Sequence, residues 1–249
     1  MFAVEDRDRV REELVELARM DDEVMGAAYV GSYAADGGDR WSDIDVTLGI
    51  KGDLGPAIER WTGWLYNDFG ALHHWDLPAG AAVFRVFLLP GLLEVDLGFR
   101  PAADFAPRGP NWRTIFGEAG EPRYAAPPGV DQLVGFAWHH LLQARLSIER
   151  KRFWQAEHWI SATREQVFAL AALRLGLHAG FAKSAHLLPG DATVYLEQTL
   201  VGALFEAELR RAWEAMAHAF TVEVMRADPA IVARLRPLLS ELDVGFRSC

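Results

Sequence analysis

Two short segments carry residues that can do chemistry. In DIDVTLGI, residues 43–50, Asp43 and Asp45 alternate with Ile44, Val46, Leu48 and Ile50. In LLEVDLGF, residues 92–99, Glu94 and Asp96 alternate with Leu93, Val95 and Leu97. Side chains two apart on a strand project from one face about 7 Å apart. Like charges held that way repel unless a cation lies between them. Hard oxygen donors of this kind suit Mg²⁺, which keeps several waters and is commonly shared with substrate phosphates. Asp is disfavoured in strands, so two such strands point to a site rather than to two solvated faces. If the strands are neighbours, four carboxylates converge.

Elements that would position these groups can be read from periodicity. Residues 5–20 carry Val10, Leu14, Leu17 and Ala18 at helical spacing. The apolar run 24–30 suits a strand buried on both faces and ends at Gly31-Ser32, followed by a Gly- and Asp-rich turn over 33–41. A helix is expected over 55–69, with Ile58, Trp61, Leu65 and Phe69. The stretches 81–89 and 92–99 form a hairpin turning at Pro90-Gly91. Residues 101–128 hold six of the twelve prolines and mark a boundary between two domains, 1–126 and 127–249. Beyond the boundary the pattern is helical over 130–149, 153–175, 193–222 and 229–243, with Pro229 in a first helical turn. The expected class is α+β: a mixed-sheet domain with flanking helices, then an all-α bundle.

Residues 31–46, GSYAADGGDRWSDIDV, resemble the Gly-Ser…Asp-x-Asp signature of DNA polymerase beta-like nucleotidyltransferases. They are most similar to the antibiotic-modifying members, the aminoglycoside adenylyltransferases. Those share the Gly-Ser turn, Ser-Asp-Ile-Asp and a later Leu-Glu-Val strand, here Leu93-Glu94-Val95, and place a helical domain after the catalytic one. The resemblance implies that Asp43, Asp45 and Asp96 hold two Mg²⁺ ions. It implies that Gly31, Ser32 and Ser42 bind the nucleotide and that Glu94 is the general base. In the streptomycin-type enzymes the residue two after that Glu is not Asp. Here both acids are present, which leaves open which is base and which is ligand. The implied reaction transfers AMP from ATP to a hydroxyl of a small molecule, an aminoglycoside or related antibiotic bound between the domains, and releases pyrophosphate. Rival readings are an antitoxin-type enzyme that adenylylates protein and an inactive nucleotide-binding module.

Composition narrows the classes further. The 249 residues carry 35 acids and 25 bases, a net charge of −10. All of the excess lies in residues 1–126, which hold 22 acids and 12 bases. Nucleic-acid binding through clustered Lys and Arg is therefore not expected. The single cysteine, Cys249, excludes an internal disulfide framework. No uninterrupted apolar window suits a membrane helix, and no signal-peptide stretch opens the chain, so a cytoplasmic location is expected. Oligomeric state stays open.

Several residues have two readings. Arg85 could meet a phosphate, serve as a counter-charge to the acids or face solvent, and Arg40 could reach the triphosphate or stay solvated. Trp154 and Trp159 read as core, or as a substrate wall with Glu157 beside it. Arg164 and Arg174 read as helix-surface residues. The eight histidines show no metal-binding spacing, and the loose Arg152-x₅-His158 spacing carries little weight.

Overall fold

A computed structural model describes residues 1–35, 38–231 and 233–235. The chain divides into two compact units, Met1–Ala125 and Ala126–Cys249. The architecture is α+β.

The first unit is built on a six-stranded sheet. It opens with helix α1, Val4–Met20, whose buried stripe includes Val10, Leu14 and Ala18. Glu5 and Asp6 in its first turn and Arg19 in its last suit the helix dipole. Then come β1 (Val24–Val30), a one-turn helix α2 (Gly31–Ala34), β2 (Ile44–Ile50) and α3 (Leu54–Asn67). Strands β3 (His73–Ala79), β4 (Ala82–Leu89), β5 (Leu93–Pro101) and β6 (Trp112–Phe116) complete it. The order across the sheet is β3-β4-β5-β2-β1-β6. The central pair β2/β5 is parallel and the other pairs are antiparallel.

One face of this sheet is aliphatic. Ile44, Val46, Leu48 and Ile50 of β2, with Val95, Leu97 and Phe99 of β5, are buried against α1 and α3 through Leu14, Ile58, Trp61 and Leu65. Burial of this kind is the main stabilising term of a fold. The hairpin turns through a 3₁₀ segment, Pro90–Leu92, in which Gly91 takes φ +75°.

Two strands were not expected. β3 is the sheet's exposed edge, and its sequence, HHWDLPA, has little of the apolar alternation that marks a strand. β6 lies inside the proline-rich segment 101–128 and is bonded along one side to β1, with Trp112 opposite Val30 and Arg113 opposite Tyr29. The predicted turn after Gly31-Ser32 begins as the single helical turn α2.

The second unit is helical in its described part. It contains α4 (Val130–Glu149), α5 (Phe153–Arg174), α6 (Gly190–Glu197) and α7 (Glu206–Ala227). Leu141, Ile148, Ile160, Leu170, Met216 and Phe220 form its core. The helical stretch predicted over 193–222 is broken at 198–205. There Arg164 donates to Thr199 Oγ1 at 2.6 Å and to its carbonyl at 2.7 Å. Arg211 donates to the carbonyls of Gln198 and Leu200, and Glu208 accepts from Gly202 N–H. These side chains take over the groups that a continuous helix would have bonded itself. Pro229 falls in a helical turn, as predicted, with Asp228 Oδ1 accepting from Ala230 N–H at 2.8 Å as an N-cap would. The rest of the predicted 229–243 segment beyond residue 235, and Cys249, lie outside the described residues. No described helix is long and apolar enough to cross a membrane.

Candidate functional site

The parallel register of β2 and β5 sets Asp45 directly beside Asp96 and Ile44 beside Val95. Neighbouring strands lie about 4.8 Å apart, so the two carboxylates share one patch of sheet. Both are partly exposed and lie on the face opposite the aliphatic core. Glu94 is two residues earlier on β5, exposed, and on the same face. Asp43 is two residues before Asp45, just ahead of β2, and half-buried. The condition set from sequence, that the two strands be neighbours, is met, with Asp45 and Asp96 in register. Among the described residues, no three His, Cys, Asp or Glu side chains are gathered tightly enough to hold a metal ion alone. Mg²⁺ does not require such a cage. It is usually held by one or two carboxylates, with waters and substrate phosphates completing its shell. The donor chemistry of Asp45 and Asp96 fits that description.

Gly31 is the other fixed part of the patch. Its φ is +65°, a left-handed conformation that favours glycine. A Cβ built there would stand 2.7 Å from Asp45 Cγ and closer still to its carboxylate oxygen. Only glycine lets α2 begin against Asp45. Next to it, the hydroxyls of Ser32 and Ser42 lie 3.2 Å apart. Ser42 Oγ also accepts from Asp39 N–H at 2.9 Å. The residues assigned to the nucleotide thus join α2 to the loop that leads into Asp43.

That loop is held from behind by residues the sequence reading missed. Buried Arg7 donates to the carbonyls of Asp39 and Ser42. Buried Arg11 packs its guanidinium 3.9 Å from the Tyr33 ring centre, and Tyr33 meets Tyr29 edge-on at 4.8 Å. Burial raises the Tyr29 pKa, with a further push from Tyr33, against opposing pulls from Arg11 and Arg113. A signal was available: Arg7 and Arg11 fall at i and i+4 beside the buried positions Leu14 and Ala18.

The ambiguous residues separate. Arg85 pairs with Asp76 of the neighbouring strand β3 at 2.7 Å and donates to Thr62 Oγ1 of α3 at 2.7 Å. It is 8% exposed and is a counter-charge to Asp76, not to Glu94 or Asp96, and it is neither solvent-facing nor turned to the site face. Arg40 stacks on the Trp41 ring at 4.3 Å. Trp154 is 78% exposed, so core packing does not explain it, whereas Trp159 packs against the helical core. Glu157 accepts from the Ser161 hydroxyl at 2.6 Å. Arg164 and Arg174 are not simple surface residues. Arg164 is half-buried against Thr199, and Arg174 pairs at 2.8 Å with the buried Glu223. His139, His140 and His158 gather around Trp159, with the His140 ring stacked on it at 5.0 Å. Burial lowers the His140 pKa.

The site face continues below the carboxylates. Thr47 Oγ1 donates to Gly98 O at 3.1 Å and accepts from Arg100 Nε at 2.9 Å. Further down, the Phe105 ring covers Gly26 and Gly49, where a Cβ would come within 3.0 Å of it. A separate groove of about 400 Å³ lies beside α1, lined by Glu12, Glu13, Glu16, Leu17, Met20 and Phe69, and contains none of the predicted site residues.

No protein-family model matches the chain, and no curated protein matches it. Among solved structures it aligns with an aminoglycoside 6-adenyltransferase from Bacillus subtilis. The alignment covers 92% of this chain and 95% of that one, at 10% identity and a TM-score of 0.42.

Proposed function

We propose that the Asp45/Asp96 face is the active site of a metal-dependent nucleotidyltransferase, which moves a nucleoside monophosphate, AMP from ATP, to a hydroxyl of a small molecule. The observation that carries this reading is the parallel register of Asp45 with Asp96 against Gly31. It agrees with the resemblance of residues 31–46 to the polymerase beta-like signature.

Asp45 and Asp96, with Asp43 at their flank, would hold Mg²⁺. The bound metal would neutralise the triphosphate and favour in-line displacement at its α-phosphorus. Gly31 lets the start of α2 sit against the Asp45 carboxylate, and the Ser32 and Ser42 hydroxyls beside it would orient the phosphate oxygens. Glu94, exposed on the same face, accepts the proton of the attacking hydroxyl. Residues 127–249 are assigned to the acceptor, for which an aminoglycoside or related antibiotic is the first candidate.

The test is pyrophosphate release, screened across ATP, GTP, CTP and UTP against aminoglycosides and lincosamides, with Mg²⁺ and with chelator. Release with a hydroxyl acceptor, abolished by chelator and by Asp45→Asn, is the expected result. Transfer that survives Asp45→Asn would overturn the assignment.

A further inference from the structure

Arg100 lies on the same sheet face as the carboxylates. The register pairs Asp45 with Asp96, Thr47 with Gly98 and Gly49 with Arg100, and alternation puts all six on one side. The side chain runs back towards the acidic end. Its Nε reaches Thr47 Oγ1 at 2.9 Å, and its Cζ is 6.0 Å from the Trp112 ring. Thr47 follows Asp45 by two residues, about 7 Å along the strand. Trp112 pairs with Val30, the residue before Gly31.

Polar bookkeeping sets this arginine apart. It is only 4% exposed, and among the described residues its two terminal nitrogens have no protein partner; they are not enclosed and keep contact with solvent. The other three buried arginines, Arg7, Arg11 and Arg85, each have a carboxylate within 3.1 Å. The acid that acts on Arg100 from a distance, Asp104, is already engaged by Arg108 at 2.8 Å and Arg123 at 2.6 Å. Three cations therefore share one carboxylate in a protein of net charge −10. Burial and the Arg108 charge lower the Arg100 pKa, but a guanidinium stays protonated in a protein, so the shift expresses a cost of burial. Such a cost is reduced when an anion takes the place of solvent at the open nitrogens, and a guanidinium fork matches phosphate oxygens.

We propose that Arg100 is an anion-binding residue of this face, taking oxygens of the nucleotide's phosphate tail or of the pyrophosphate that departs. The proposal rests on the nucleotidyltransferase reading but is tested by binding, without any acceptor. The experiment titrates Mg²⁺–pyrophosphate and a Mg²⁺–triphosphate analogue with a non-cleavable α–β bridge into the full chain, by calorimetry. Wild type is compared with Arg100→Met and Arg100→Lys, and melting temperatures are measured without ligand.

Arg100→Met is expected to weaken binding tenfold or more and to melt no lower than wild type, because it removes a largely buried charge that has no carboxylate bonded to it. Arg100→Lys retains part of the affinity. Loss confined to pyrophosphate assigns Arg100 to the leaving group, and equal loss for both ligands assigns it to the bound tail. Undiminished binding in Arg100→Met overturns the proposal and leaves the transferase reading standing. A lowered melting temperature that Asp45→Asn restores would make Arg100 a counter-charge to the carboxylates and likewise overturn it. If wild type binds neither ligand, both readings fall.

Discussion

The two faces of the central strands solve opposite problems with alternate residues of the same chain. Towards α1 and α3, β2 presents Ile44, Val46, Leu48 and Ile50, and β5 presents Val95, Leu97 and Phe99, all buried. Their polar neighbours are compensated: Arg85 by Asp76 and Thr62, and Asp21 by Arg60 and the Trp61 indole. On the other side the same strands present Asp45, Thr47 and Gly49, then Asp96, Gly98 and Arg100. Phe105 covers Gly49 and Phe84 covers Gly98, and the acids stay partly open. One face is filled for stability, while the other sets two carboxylates in register and holds a largely buried cation with no carboxylate bonded to it. Residues arranged against stability are where function is to be sought, because such arrangements persist only when something else requires them.

Substitution can break this contrast. Asp45→Asn is expected to cut nucleotide transfer by a thousandfold or more, about 4 kcal/mol of transition-state stabilisation. Its urea midpoint should stay near that of wild type, since Asp45 is a partly exposed side chain outside the apolar core. Leu48→Ala, one strand position from Thr47 but on the filled face, should do the reverse. Loss of that wholly buried side chain is expected to cost about 3 kcal/mol of folding stability, read by urea unfolding. Its turnover per folded molecule should stay near wild type. If the two variants showed the same kind of defect, the division between faces would be wrong.

The contrast was legible in sequence wherever alternation is strong. DIDVTLGI and LLEVDLGF show which residues face the helices, and they mark Asp45 and Asp96 as facing away. The helices α1, α3, α4 and α5 follow from their apolar spacing. What was not legible depends on pairing across long separations. β3 and β6 are edge strands, bonded along one side, so neither needs two apolar faces and neither announces itself. The role of Arg7 depends on a loop 32 residues away, and Arg100 gains meaning only once β2 lies beside β5. The break between α6 and α7 comes from Arg164, 35 residues before Thr199, which no local pattern encodes.

Gly31→Ala tests the seam between the faces. The substitution places a methyl group against the Asp45 carboxylate at a positive φ, so both backbone and carboxylate must move. About 2 kcal/mol of stability should be lost. Binding of Mg²⁺–triphosphate should weaken more than thermal stability alone accounts for, because the shift is aimed at Asp45. A variant with reduced stability but unaltered nucleotide affinity would separate Gly31 from the site.

The smallest effect concerns a compensated charge on the filled side. Burial alone would raise the Asp21 pKa, but hydrogen bonds from Arg60, Glu23 N–H and the Trp61 indole outweigh it and hold it below the ordinary value. A carboxyl whose folded pKa is depressed contributes stability above its unfolded pKa, about 4, and loses it as pH falls through the folded value. The melting temperature of Asp21→Asn should therefore lie below wild type at pH 7, and the gap should close as the pH is taken below about 4. A gap that stays constant would mean that hydrogen-bond geometry, not charge, is what Asp21 supplies. Arg100→Met should show no such dependence, since a guanidinium does not titrate in this range and has no carboxylate bonded to it. Paired charge on one face and unpaired charge on the other would then differ in sign as well as in pH response: removing the first lowers stability, and removing the second does not.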